Sequence, residues 1–183
     1  IIDVIQARRF AAGLDPKATA AGANEAQAFG PRPIAGEMSL ASSRELRAVF
    51  VSRTGNIVTI GIDLHAVGDE TGTSFTLEYD PAVLSNPANI VPGTGSGNAV
   101  VTVNTSQSAQ GLLGIVIDRA VNDPFTAGVH QIVTIDLTAA ITSPATTTIS
   151  FGNSPVLPDV SNAAASSLMA KFSARSIALL NPT

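Results

Sequence analysis

Two histidines (His65 and His130), fourteen carboxylates and no cysteine are the inventory from which an active site or a metal centre would be built. Asp63 and His65 stand two residues apart on an alternating stretch, so their side chains point the same way, about 7 Å apart along the chain. No nucleophile is placed beside them by spacing, and the outward face of a strand is a solvated place. His130 follows Gly128 and alternates opposite to the apolar positions after it, which also reads as surface. Glu78 and Asp80 resemble the paired carboxylates of glycoside hydrolysis, but Asp80 precedes Pro81 and is accounted for as a turn residue. Asp69, Glu70 and Asp123 are loop acids of the type that bind calcium; they lack EF-hand spacing and read equally as solvated loop carboxylates. Neither H-E-x-x-H nor G-x-S-x-G occurs, and Gly93, Gly95 and Gly97 do not open a helix, so no phosphate cradle is indicated. The expectation is a non-catalytic protein.

What must position these side chains is β-structure. In the stretch 74–79, Phe75, Leu77 and Tyr79 alternate with Ser74, Thr76 and Glu78, the period of a half-buried strand. Asp80-Pro81 ends it, because proline lacks the N–H of the next rung and restricts the residue before it. Val58, Ile60, Ile62 and Leu64 alternate in the same way over 56–66, and 46–53, 99–104, 111–118, 128–138, 146–151 and 168–180 carry further strand signals. Pro87 to Gly97 reads as a Gly/Pro-rich loop with one apolar pair, Ile90-Val91. About nine short strands with close turn signals and no intervening helices predict a two-sheet antiparallel sandwich over 44–183.

The residues before 44 read differently. Asp3 is a good N-cap for a helix over 2–14, Gly13 suits its C-terminal end, and Asp15-Pro16 stops it. Residues 16–43 mix Ala, Gly, Pro and Ser without a sustained apolar period, the pattern of a linker or surface-packed extension. Composition agrees with an exported β-protein: 45% hydrophobic but only 4% aromatic and 13% charged, with 11 prolines. A net charge of −4 gives no basic face for nucleic acid. No apolar run approaches the roughly 18 residues that span a bilayer. The start at Ile1, without methionine, is expected of a piece of a longer precursor.

The strings "IVTIGIDL", "SFTLEYDPAVL", "VTVNTS", "GLLGIVID", "FTAGVHQIVTIDLTA" and "SNAAASSLMAKFSARSIAL" follow one another in an order and spacing that resembles cohesin domains over most of 44–181. That resemblance implies a jelly-roll sandwich of about nine strands that binds a dockerin partner through one sheet face. Residues 1–15 resemble the helix that follows a calcium loop in dockerin repeats. The resemblance makes Asp3 the last ligand of such a loop, a metal ligand only if the earlier positions precede it in the full-length protein. It implies no cofactor for the present chain and possible calcium for the dockerin-like part of the whole protein. A surface helix capping the sandwich is the alternative reading of the same residues. The implied setting is the extracellular space or cell surface of a bacterium.

On the residues themselves, alternation places Val100, Leu112 and Val116 outward beside Thr76, Glu78, Thr102 and Asp118. Aliphatics rimmed by polar groups are what a protein interface presents; alternatively these side chains lie beneath residues 15–43. A module for soluble glycans is the competing function, since carbohydrate-binding modules share the sandwich. The absence of tryptophan and the single tyrosine, on the core-facing set, weigh against a flat sugar-stacking surface.

Overall fold

A computed structural model describes residues 44–140 and 146–179; the helix expected over 2–14, the linker over 16–43 and Asp3 lie outside the described residues. β1 (Glu45–Thr54) and β2 (Ile57–Ala66) form a hairpin whose turn glycine, Gly55, takes φ 61°, a conformation that costs glycine little. β3 (Glu70–Glu78), β4 (Leu84–Pro92), β5 (Val100–Asn104), β6 (Leu112–Asp118) and β7 (Gly128–Ala139) follow. β8 (Thr146–Gly152), β9 (Asp159–Asn162), β10 (Lys171–Ser173) and β11 (Arg175–Ala178) complete the set, with one short 3-10 turn at Ser108–Gln110. The first sheet runs β10-β1-β2-β7-β4 and the second β11-β8-β3-β6-β5, with β9 also paired to β3. Among the described residues no helix is long and apolar enough to cross a membrane.

Alternation decides which side chains enter the space between the sheets. Leu46, Val58, Ile60, Ile62, Leu64, Ile135 and Leu137 of the first sheet are fully buried, as are Phe75, Leu77, Leu113, Ile115, Ile117 and Ile149 of the second. Each such side chain contributes about 1.5–3 kcal/mol relative to exposure. Phe151 stands edge-on to both Phe75 and Phe172, each at 5.5 Å between ring centroids, so one aromatic row crosses the sandwich from sheet to sheet.

The expected all-β sandwich is present, and three details differ from the sequence reading. Residues 87–92, the first part of the stretch 87–97 expected as loop, belong to the edge strand β4: Pro87 is tolerated there because an edge need not donate at every rung. Asn86 and Asn89 take positive φ of 49° and 45°, and the pairing with β7 slips between Ser85 and Ala88 and again between Ala88 and Val91. The segment 168–180, expected as one strand, divides at Ala174: β10 lies parallel beside β1 in the first sheet, and β11 antiparallel beside β8 in the second. Finally, a bulge at Ile132 leaves Ile132 and Val133 both buried and shifts the alternation before them. His130 is thereby paired with Leu64 on the inner side rather than facing out, and tilts against the Phe125 ring at 5.7 Å between centroids.

Candidate partner-binding face

The register of three strands fixes one surface. In the pairing of β5 with β6, Val100 lies opposite Asp118 and Thr102 opposite Val116; in that of β6 with β3, Val116 lies opposite Ser74, Gly114 opposite Thr76 and Leu112 opposite Glu78. Since Ile115, Ile117, Phe75 and Leu77 between them are buried, all seven residues expected to face outward do share the outer side of the second sheet. Val100 is 64% exposed. Thr102 is exposed, and Leu112, Val116, Asp118 and Glu78 are half-buried.

Thr76 shares the side but not the exposure, and here the expectation of an open partner-facing residue needs correction: it is 0% exposed. The loop 153–158, between β8 and β9, crosses the sheet over it. Thr76 Oγ1 donates to the Val156 carbonyl at 2.7 Å and accepts from the Val156 N–H at 2.9 Å. Ser74 Oγ donates to the Leu157 carbonyl at 2.9 Å. The opposing residue on β6, Gly114, makes room for the crossing. A Cβ there would stand 2.7 Å from Val156 Cγ2 and 3.2 Å from Pro155 Cγ. Glu78 is also committed in part, accepting from Ser150 Oγ at 3.1 Å. The loop therefore separates a Leu112/Glu78 end of the face from a Val100/Thr102/Val116/Asp118 end. Leu157 of this loop is 59% exposed, and sequence reasoning passed over it. The signal was present: Pro155-Val156-Leu157-Pro158 sets an apolar pair between two prolines, too short to read as a strand.

The loop acids have other work than calcium. Glu70 is fully buried and accepts from the backbone N–H of Val67 (2.8 Å), Gly68 (2.9 Å) and Asp69 (3.2 Å), and from Arg44 Nε at 2.6 Å. It closes the turn between β2 and β3, and a carboxylate saturated by donors is the form in which a buried charge is tolerated. Arg44 also reaches Asp69, and that hydrogen bond, with further attraction from Glu70, raises the guanidinium pKa above its ordinary value. Asp123 pairs with Arg119 at 2.6 Å, and the Arg119 guanidinium sits 4.8 Å from the Phe125 ring centroid. No group of three or more metal-ligating side chains gathers among the described residues. Asp63 meets Arg47 at 3.5 Å, which accounts for it without His65. Asp80 accepts from the Ala82 N–H at 2.9 Å, as a turn residue should. Tyr79 is buried; its hydroxyl donates to the Ser108 carbonyl at 2.9 Å, and burial pushes its phenol pKa up.

Two packed sheets of this order, with the chain's last strands split between them, define a jelly-roll sandwich, and the fold is that of cohesin domains. The described fold is similar to the sixth cohesin of scaffoldin B from Acetivibrio cellulolyticus, solved in complex with a dockerin, with TM-score 0.63 at 14% identity over 76% of this chain and 100% of that one. It is similar to a type I cohesin of Clostridium thermocellum, also solved with a dockerin, with TM-score 0.62 at 13% identity over 75% and 99%. A cohesin of Clostridium acetobutylicum gives TM-score 0.60 at 16% identity over 74% and 90%. No protein-family model matches the chain, and no curated protein matches it.

Proposed function

We propose that this chain is a non-catalytic, extracellular or cell-surface interaction module of cohesin type from a bacterium, binding a dockerin-like protein through the outer face of its second sheet. The carrying observation is the register-locked block on β5 and β6, where Val100 and Val116 stand with Thr102 and Asp118 on the outer side. Exposed aliphatics inside a polar rim lose little when a partner covers them and gain the burial. The dockerins solved with two of the similar cohesins support a protein as the occupant. A soluble glycan is the less favoured occupant, because the one tyrosine is buried at 5% exposure and cannot stack on a sugar ring.

The test is titration of the wild-type protein against a displayed library of dockerin modules, with and without calcium, beside a glycan array. Val100→Asp combined with Val116→Asp is expected to weaken dockerin binding by about a hundredfold, the scale of a lost interface centre. Failure of every dockerin in both conditions, with signal on the array, overturns the reading.

A further inference from the structure

We infer that the free edge of β5 is a self-association surface, to which a second copy of this chain adds its own β5 in an antiparallel register centred on Thr102. β5 lies at the end of the second sheet, and among the described residues it pairs with β6 alone. Which backbone groups it leaves over follows from the neighbouring ladder. The Tyr79 N–H donates to the Gly111 carbonyl at 2.9 Å and the Arg119 N–H to the Thr71 carbonyl at 2.7 Å, so the odd-numbered residues of β6 bond to β3. The even-numbered ones, Gly114, Val116 and Asp118, therefore turn to β5 and engage Asn104, Thr102 and Val100. That leaves the N–H and C=O of Val101 and Val103 pointing away from the sheet, a template for one more strand.

The template fits its own copy. With Thr102 opposite Thr102 of the second copy, Val101 stands opposite Val103 in both directions, and the edge groups of the two copies pair off completely. Val101 and Val103 are half-buried on the inner side and gain cover from each other. On the outer side the exposed Thr102 hydroxyls meet as a cross-strand pair. The strand brings no charge of its own: residues 81–117 hold no Asp, Glu, Lys, Arg or His. The other sheet ends are blunted in the ways that keep edges from pairing. β4 carries Pro87, Pro92, two positive-φ asparagines and slipped pairing. β10 and β11 have only three and four residues and bear Lys171 and Arg175. β5 has none of these devices. The two-fold axis relating the paired strands stands perpendicular to the sheet, so both copies turn the outer side of the second sheet the same way. The pairing uses the edge alone and does not depend on what that outer side binds.

The experiment is sedimentation equilibrium of the whole chain, by itself, over a concentration series. A five-residue edge falls short of the roughly 1,200 Å² of a standard interface, so a monomer–dimer equilibrium with a dissociation constant on the order of 0.1 mM is expected. Thr102→Lys, an exposed change that sets two cations against each other at the two-fold axis, should weaken it at least about tenfold. Val101→Pro should do the same, because it removes an edge N–H and no bond to β6. Register is read by disulfide capture, for which a chain without cysteine gives a clean background. Thr102→Cys should form a disulfide-linked dimer on mild oxidation, since opposed residues of a non-hydrogen-bonded pair lie about 4.5 Å apart between Cα atoms, within disulfide reach. Val91→Cys, exposed on β4, should not. Three results each overturn the inference: wild-type protein that stays monomeric to about 1 mM, a dimer indifferent to Thr102→Lys and Val101→Pro, or capture no faster at Thr102→Cys than at Val91→Cys.

Discussion

The two outer faces of the sandwich are built from the same period-2 alternation and differ in what covers them. On the first sheet, charges neutralise one another: Arg47 meets Asp63, and Lys171 stands 3.9 Å from Glu45. The carboxylates there are held by neighbours as well. The Ser173 hydroxyl, aided by Lys171, Arg47 and Arg175, keeps the Glu45 carboxyl below its ordinary pKa, and the Thr59 hydroxyl and Asn89 amide do the same for Asp136. On the second sheet a loop is latched across the middle of the face, with Val100 and Leu157 exposed beside it. Both faces expose aliphatic side chains, Val51 and Val129 on the first and Val100 on the second, so the latched loop rather than apolar exposure sets the second face apart. Sheets that look alike in topology thus divide into an open surface and a bridged one.

The sharpest way to break this contrast is to put one methyl group or more on each face. Gly114→Val drives side-chain carbons into the latched loop, and should cost about 1–3 kcal/mol in denaturant unfolding while also lowering partner binding. Gly61→Ala on the first sheet meets chiefly the mobile end of Gln131, with Val49 and Val51 at 3.0 Å. It should change stability by less than about 0.5 kcal/mol and leave binding alone. Equal costs for the two would show that the loop is no more firmly seated than a surface amide. Next in size is Arg47→Ala. The partly exposed pair with Asp63 should be worth less than about 1 kcal/mol, and partner affinity should not move. A drop in affinity would place the partner on the wrong sheet.

The smallest effect is on acid stability. The folded-state pKa values of Glu45 and Asp136 lie below those of the unfolded chain. Their contribution is therefore present above the ordinary carboxylate range and is lost as pH falls below about 4, through the lowered values. Unfolding measured at pH 7 and again near 3 should show a smaller acid loss in Asp136→Asn than in wild type. Identical losses would mean that the hydrogen bonds from Thr59 and Asn89 do not favour the charged form in solution.

Most of the sandwich was legible because burial on one side of a strand imposes a period of two. Val58 to Leu64 and Phe75 to Tyr79 announce their inner faces directly, and through them the outward set on β3, β5 and β6. What escaped notice were the features that alternation does not encode. β4 hid behind Pro87 because edge strands are allowed proline and slipped pairing. The bulge at Ile132 reversed His130 because one added residue inverts the side of everything before it. Thr76 carried the right side and the wrong exposure, since nothing in its own strand records a loop returning some 80 residues later to use its hydroxyl. Glu70 read as a loop acid because a buried carboxylate is defined by its donors, and three of these are backbone groups that every sequence possesses.

The parallel pairing of β1 with β10 also bears on the order of events in folding. Glu45 lies beside Lys171 and Leu46 beside Phe172, so the first strand of the sandwich acquires its outer neighbour only after β2 to β9 have been made. Hairpins such as β1–β2 close short loops and form at little entropic cost, but this pair closes the longest loop in the described chain. During synthesis, the outer edge of β1 thus stays unpaired until β10 emerges.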